Sequence, residues 1–207
     1  MAIQNADLQP LVTADYLALA DLVDGLSPER WDTPSLCEGW RVREVVAHMT
    51  MPARYGQEEF MAELRDCEFD FTKLSNRIAS RDAELSSAEL VGNLRDETLH
   101  QWMPPPDGGH QGALNHVVIH GLDITVALGE PRLSPDPTIE AVLDRLTAGG
   151  AHANFGTDIT GRSLQATDID WSYGSGPQLR GTAEDIVLHI SGRQLPADRL
   201  EGNPIAR

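Results

Sequence analysis

The sequence predicts a mainly α protein, a bundle of four core helices carrying a small C-terminal α/β appendage. Three observations predict it. Apolar residues recur at helical spacing through the first two thirds of the chain, with proline and glycine between the stripes. The connections between stripes are mostly short, as antiparallel neighbours in a bundle require. Beyond about residue 155 the pattern changes to short, partly alternating runs separated by glycine. The division expected is a helical domain over residues 1–155 and a strand–strand–helix unit over 156–207.

The first helix is expected over residues 5–25, from the stripe Leu8, Leu11, Val12, Tyr16, Leu19, Ala20 and Val23, with Gly25 ending it. Residues 27–40 read as a short helical turn and a loop, broken by Pro28 and Pro34. A second helix follows from about Val42 to Leu64. Pro52 should kink or divide it, because proline removes a backbone donor. Residues 71–82 and 87–102 form two helical pieces of the third element. The stretch from Met103 to Gly109, with three consecutive prolines, is a loop.

The fourth helix runs from about Gln111 to Leu128 and stops at Gly129. A fifth is expected over 137–152. The tail gives two extended runs, 162–172 and 177–181, joined as a hairpin by residues 173–176. Thr182 then caps a last amphipathic helix over 183–192.

Composition narrows the function classes. A net charge of −16 over 207 residues argues against nucleic acid or an anionic membrane as partner. No run approaches the roughly 18 apolar residues of a membrane span. The polar N-terminus shows no signal peptide, so a cytoplasmic protein is expected. Two cysteines, Cys37 and Cys67, give no disulfide framework. Cys37 precedes a helix, where a thiol can be acidified, but a small buried hydrophobe is the plainer reading. The four tryptophans read as core anchors rather than a stacking platform. No coiled-coil repeat decides for or against a homodimer.

The chemistry concentrates in two histidines. His116 and His120 stand four apart, which puts both imidazoles on one face of the fourth helix, one turn apart. Such a pair can share a divalent metal, and it can equally be a coincidence of surface or core. His48, in the second helix, is the best third ligand. Three protein ligands leave one coordination position open, the arrangement of a catalytic rather than a structural site. Zn is the metal expected, with Ni, Cu or Fe also suited to imidazole.

Three ordered motifs add a resemblance. The run from Leu26 to Trp40, followed by Val42 and Val45-Val46-Ala47-His48-Met49, resembles the N-terminal motif of the mycothiol-dependent maleylpyruvate isomerase family. That family belongs to the DinB-like four-helix-bundle metalloproteins. The stretch His116–Ile124 resembles its second metal motif, and the tail from Ala166 to Arg193 is similar to its C-terminal α/β part.

The resemblance implies that His48 is the first ligand and His120 the last. The position four before the last ligand is glutamate in the maleylpyruvate isomerases and histidine in many DinB-like proteins. Here it is His116. A neutral imidazole in place of a carboxylate leaves a bound metal more electrophilic. It also argues against naming maleylpyruvate as the substrate. Asp123 matches an acidic position, either supporting an imidazole or touching a thiol cofactor. Arg193 ends the last helix, where it would bind a carboxylate or simply face the helix dipole. Arg41 replaces the usual serine or threonine cap of the second helix.

The function expected is a metal-dependent transferase or isomerase that presents mycothiol, a small thiol cosubstrate, to a small electrophilic substrate. A metal-dependent hydrolase and a non-catalytic metal- or ligand-binding module are the alternatives.

Overall fold

The computed structural model describes residues 8–104, 108–202 and 205. The expectations for residues 5–7 and for 105–107 of the proline loop lie outside the described residues. The chain packs as two compact units, one ending at Leu133 and one beginning at Ser134.

The first unit is the helical bundle. Helix α1 (Gln9–Asp24) buries Val12, Tyr16, Leu19, Ala20 and Val23, the stripe that its sequence spacing marks. A turn of helix, α2 (Pro28–Trp31), is anchored by the buried Trp31. Helix α3 (Val42–Met49) is the centre of the bundle. Val42, Val45, Val46, Ala47 and Met49 have no exposed surface, so the helix is enclosed on all sides. Its β-branched valines are indifferent helix formers, and tertiary burial outweighs that preference. Arg41 cannot cap it by side chain. Instead Glu44 Oε2 accepts from the Arg41 backbone N–H at 2.8 Å, half of a capping box.

The long second helix of the sequence reading is divided, as Pro52 requires. Helix α4 (Met51–Arg54) holds Pro52 in its first turn, where the missing N–H is harmless. Helix α5 (Gln57–Asp66) follows. The third element comprises α6 (Phe71–Asp82), α7 (Ser87–Leu94) and α8 (Glu97–Gln101). Ser86 and Asp96 start the last two by accepting from the Glu89 and Thr98 backbone N–H groups. Helix α9 (Gly109–Leu128) is the longest described. It ends where Gly129 adopts φ 69°, and the Glu130 N–H returns to the Thr125 carbonyl at 2.9 Å.

Helix α1 packs on α7 and α9, and α3 packs on α6, α7 and α9. The four-helix core is therefore α1, α3, α9 and the α6–α7 pair, in accord with the predicted class. Each core side chain such as Leu19 or Leu122 contributes about 1.5–3 kcal/mol on burial. An exposed pair such as Lys73–Glu68 contributes about 0–1 kcal/mol. Apolar burial therefore fixes the helices that carry the site. No helix of the described residues is long and apolar enough to cross a membrane.

The second unit joins helices to a small sheet. Helix α10 (Asp136–Arg145) runs into a π-helical turn, Leu146–Gly150, where Gly149 takes φ 113°, and then α11 (Ala151–Phe155). One helix was expected here; the two glycines open it. Strands β1 (Ser163–Ala166), β2 (Ser172–Gly174), β3 (Gln178–Gly181) and β4 (Leu200–Gly202) make a sheet of order β2-β1-β3-β4. Helix α12 (Ala183–Ile190) packs on β1, β3 and α10. Residues 136–155 thus belong to the same unit as the sheet, and the division expected at residue 155 falls inside this unit.

The expected hairpin between 162–172 and 177–181 is not formed. Strand β1 pairs antiparallel with β2, and β3 returns along the other edge of β1 in parallel, Leu164 opposite Leu179. The reason lies in Thr167-Asp168-Ile169-Asp170, a turn composition inside the presumed strand. Asp168 leaves the sheet to accept from the Ala183 N–H at 2.7 Å, while Thr182 Oγ1 accepts from the Asp185 N–H.

Candidate metal centre

Three helices and one loop of the bundle bring the polar cluster together. His48 projects from the enclosed helix α3 and is 5% exposed. His116 and His120 lie one turn apart on α9 and are partly exposed. Imidazole nitrogens of all three lie within 4.8 Å of one another. His48 Nε2 and His116 Nε2 are 3.3 Å apart. That is the separation of two nitrogens on one tetrahedral ion with bonds of about 2.0 Å, namely about 3.3 Å. The three sequence-predicted ligands are therefore neighbours in space, though His48 is 68 residues from His116.

Each histidine of α9 is held by its other nitrogen. Asp123, one turn beyond His120, has no exposed surface, and its Oδ2 lies 3.0 Å from His120 Nδ1. With Asp123 ionised its oxygen only accepts, which places the His120 proton on Nδ1 and leaves Nε2 as the lone pair for a metal. His116 Nδ1 lies 3.4 Å from the Tyr16 hydroxyl. Burial pushes the Tyr16 phenol well above its ordinary pKa, so it stays protonated and neutral. Its oxygen can accept the Nδ1 proton of His116 and leave that Nε2 as a lone pair too. His100 is buried, stacks on Tyr16 with ring centroids 5.9 Å apart, and bonds to the Leu94 carbonyl at 2.9 Å. It supports the cluster from behind Tyr16.

The loop before α3 closes another side. Its ends pair through Pro34 and Arg41. Ser35 Oγ accepts from the Cys37 N–H at 3.1 Å and donates to the Trp40 carbonyl at 2.8 Å. The Leu36 N–H donates to the Asp123 carbonyl, tying the loop to α9. Cys37 Sγ consequently sits 3.0 Å from Asp123 Oδ2 and 3.7 Å from His120 Nδ1. Trp40 lies against His48, centroids 5.0 Å apart, and Trp102, just after α8, lies against His116 at 5.3 Å.

Sequence reasoning missed Tyr16, Cys37, Trp40 and Trp102. The partners of Tyr16 and Cys37 are 83 to 100 residues away, so no local spacing announces them; Trp40 and Trp102 stand nearer their partners in sequence but on different elements. Trp31 is a core anchor as expected, but Trp40 and Trp102 line the cluster. Arg193 belongs to the second unit. There its guanidinium donates to the Ser191 carbonyl at 2.7 Å and lies over the Phe155 ring at 5.7 Å.

The donor set suits a divalent metal. Three imidazoles converge, at least one fixed in the tautomer that coordination needs, and one side is partly open.

Comparison with known proteins adds the following. Residues 16–99 match the family model described as mycothiol maleylpyruvate isomerase N-terminal domain. The match spans α1 to α8, somewhat under half of the chain. No curated protein matches the sequence. Two solved structures share the fold over 99% of this chain and 95% of theirs. One is a mycothiol-dependent maleylpyruvate isomerase, with TM-score 0.60 and 15% identity. The other is a mutant of a mycothiol-dependent maleylpyruvate isomerase in which alanine replaces a histidine, with TM-score 0.63 and 13% identity.

Proposed function

We propose, from the match of residues 16–99 to the mycothiol maleylpyruvate isomerase N-terminal domain model, that the protein is a metal- and thiol-dependent isomerase or S-transferase acting on a small electrophile. His48, His116 and His120 are the ligands, Zn is the metal first in line, and mycothiol is the thiol. The observation that carries this reading is the convergence of three imidazoles on one point of the bundle. A divalent ion held there supplies Lewis acidity and an open position at which a thiol is acidified.

The protein's own residues define what happens around that position. Asp123 fixes the His120 tautomer, and its complete burial favours this orienting role over contact with the thiol. Tyr16 aligns His116. Trp40 and Trp102 give the site two aromatic walls beside the ligands, which exclude water and suit a planar conjugated substrate. The thiol loses its proton to solvent, and the thiolate sulfur forms a bond to an electrophilic carbon. If a leaving group departs from that carbon with its electron pair, or the adjacent carbon of an added double bond takes a proton from solvent, the bond persists and the result is S-transfer. If addition to a conjugated double bond is followed by rotation and loss of the thiolate, the result is isomerisation.

The test is metal content by elemental mass spectrometry, with thiol-dependent turnover of a conjugated dicarboxylate. Wild-type protein should hold one histidine-bound ion or more and turn over only with mycothiol present. His48→Ala, His116→Ala and His120→Ala should remain helical, lose the ion of this site and lose turnover. Wild-type protein that takes up no Zn, Ni, Cu or Fe would overturn the reading.

A further inference from the structure

His120 has a second face, and ligating atoms crowd it. Cys37 Sγ, His120 Nδ1 and Asp123 Oδ2 form a triangle with sides of 3.0, 3.0 and 3.7 Å. We propose that Cys37, His120 and Asp123 form a second metal position, for a thiophilic divalent ion such as Zn(II), which shares the His120 ring with the three-histidine position through the opposite nitrogen.

The geometry fits an ion. With bonds of about 2.0 Å to nitrogen or oxygen and about 2.3 Å to sulfur, tetrahedral ligand atoms stand about 3.3–3.5 Å apart. The two shorter sides need open by about 0.3–0.5 Å, and the longer one close by about 0.2 Å. They are short because two donors, the thiol S–H and the imidazole N–H, now converge on one carboxylate oxygen. An ion would replace both protons, which leave to solvent. Thiolate and carboxylate then carry two negative charges, which a divalent ion cancels in a place where an uncancelled charge is costly.

The ligands are also held in advance. Asp123 and His120 are one turn apart on a single helix. The Cys37 loop is fastened to that helix at Asp123 itself, and within itself through Ser35, before any ion arrives. Cys37 is partly exposed, which gives an ion a route in, whereas the other thiol, Cys67, is fully buried against Met51, Leu74 and Ile78. A thiolate–imidazole–carboxylate set is softer than three imidazoles, so the two positions differ in the ions they prefer. When both are filled, His120 bridges as an imidazolate. When only this one is filled, His120 binds through Nδ1 and keeps its proton on Nε2.

The position stands on Cys37 and Asp123, so it can be tested apart from the three-histidine site. Reduced protein is titrated with Co(II) and followed by ultraviolet absorption, then with Zn(II) and followed by elemental mass spectrometry. The expected result is a thiolate-to-cobalt charge-transfer band in the wild type. That band should survive in His48→Ala and Cys67→Ser and vanish in Cys37→Ser. Bound Zn(II) should fall from two per chain in the wild type to one in either Cys37→Ser or His48→Ala. A measurement on unaltered protein covers the case of a variant that does not fold. Zn(II) should slow alkylation of Cys37 by iodoacetamide at least tenfold, and should do so in His48→Ala as well. Absence of the band at saturating Co(II), its persistence in Cys37→Ser, or an alkylation rate indifferent to Zn(II) overturns the proposal. Loss of the three-histidine ion alone leaves it standing.

Discussion

Two buried polar clusters sit in the same helical bundle, and they are built on opposite principles. The first surrounds Asp82. Arg54 Nη2 donates to Asp82 Oδ2 at 2.8 Å, the Tyr55 hydroxyl donates to the same oxygen at 2.6 Å, and Arg81 Nε donates to Oδ1 at 3.0 Å. Arg81 goes on to Glu63 at 2.7 Å, and Arg54 reaches back to the Ala47 carbonyl. Each charge there meets an opposite charge supplied by the chain. The second cluster, around His120, brings together three imidazoles, a carboxylate and a thiol, side chains that can each offer one ligand atom to a metal. A cluster that neutralises itself holds helices in place. One that gathers potential ligand atoms around a point is suited to a cation from outside. Buried polarity alone does not distinguish a site from a structural network, but the balance of donors and acceptors does.

Several measurements would break or sharpen that contrast. The largest effect is expected at the histidine cluster. His48→Ala should abolish ion binding at the three-histidine position while circular dichroism stays helical, because the apolar core of α3 is untouched. Treatment with a chelator should likewise strip the ion without unfolding the protein. Unfolding by chelator would show that both clusters are structural.

Arg54→Ala should do the opposite. It leaves the buried Asp82 carboxylate short of a cation and should lower unfolding free energy by about 3 kcal/mol, with metal content unchanged. Chemical denaturation checks it. The value lies at the low end of such losses because Arg81 on the rim is 44% exposed and can still serve the carboxylate.

Next comes Asp123→Asn, which preserves shape but removes the charge that fixes His120. Metal affinity should fall about 10- to 100-fold by competition with a chromophoric chelator, with little change in melting temperature. An Asp123 that served only packing would move the melting temperature instead.

The pH dependence belongs to the first cluster. Burial opposes ionisation of Asp82, yet hydrogen bonds from Tyr55, Arg54 and Arg81 win and hold its carboxyl below the ordinary range. Glu44 is depressed in the same way by Arg41 against its own burial. A carboxylate with a depressed folded-state pKa contributes its full stability above the unfolded value, and loses it as pH falls through the folded value. Denaturation midpoints should therefore be flat above about pH 5 and decline below about pH 4, the ordinary aspartate range. Asp82→Asn should flatten that decline.

The smallest effect is expected for Tyr16→Phe. It removes one hydroxyl beside His116 and should change stability by about 1 kcal/mol, with metal affinity falling less than in Asp123→Asn.

Much of this protein was legible in its sequence. The stripes of α1 and α9, the break at Pro52 and the stop at Gly129 are local physics: spacing, a missing N–H, a left-handed φ. The fold class followed from them. The His116–His120 pair was legible for the same reason, since one turn of helix fixes two side chains together. Within the tail, the cap of α12 was legible, but the strand pairing was not. Asp168 and Asp170 could be read as strand or turn until α12 was there to use one of them.

What only the tertiary structure decided is which distant residues meet. Nothing in the spacing of Cys37, 83 residues before His120, marks it as a neighbour. Nor does Tyr16 announce itself as the partner of His116, 100 residues on. Periodicity determines which face of a helix turns inward. It carries no information about what comes to that face from another helix, because that depends on how the helices pack, and packing is set by every buried side chain at once.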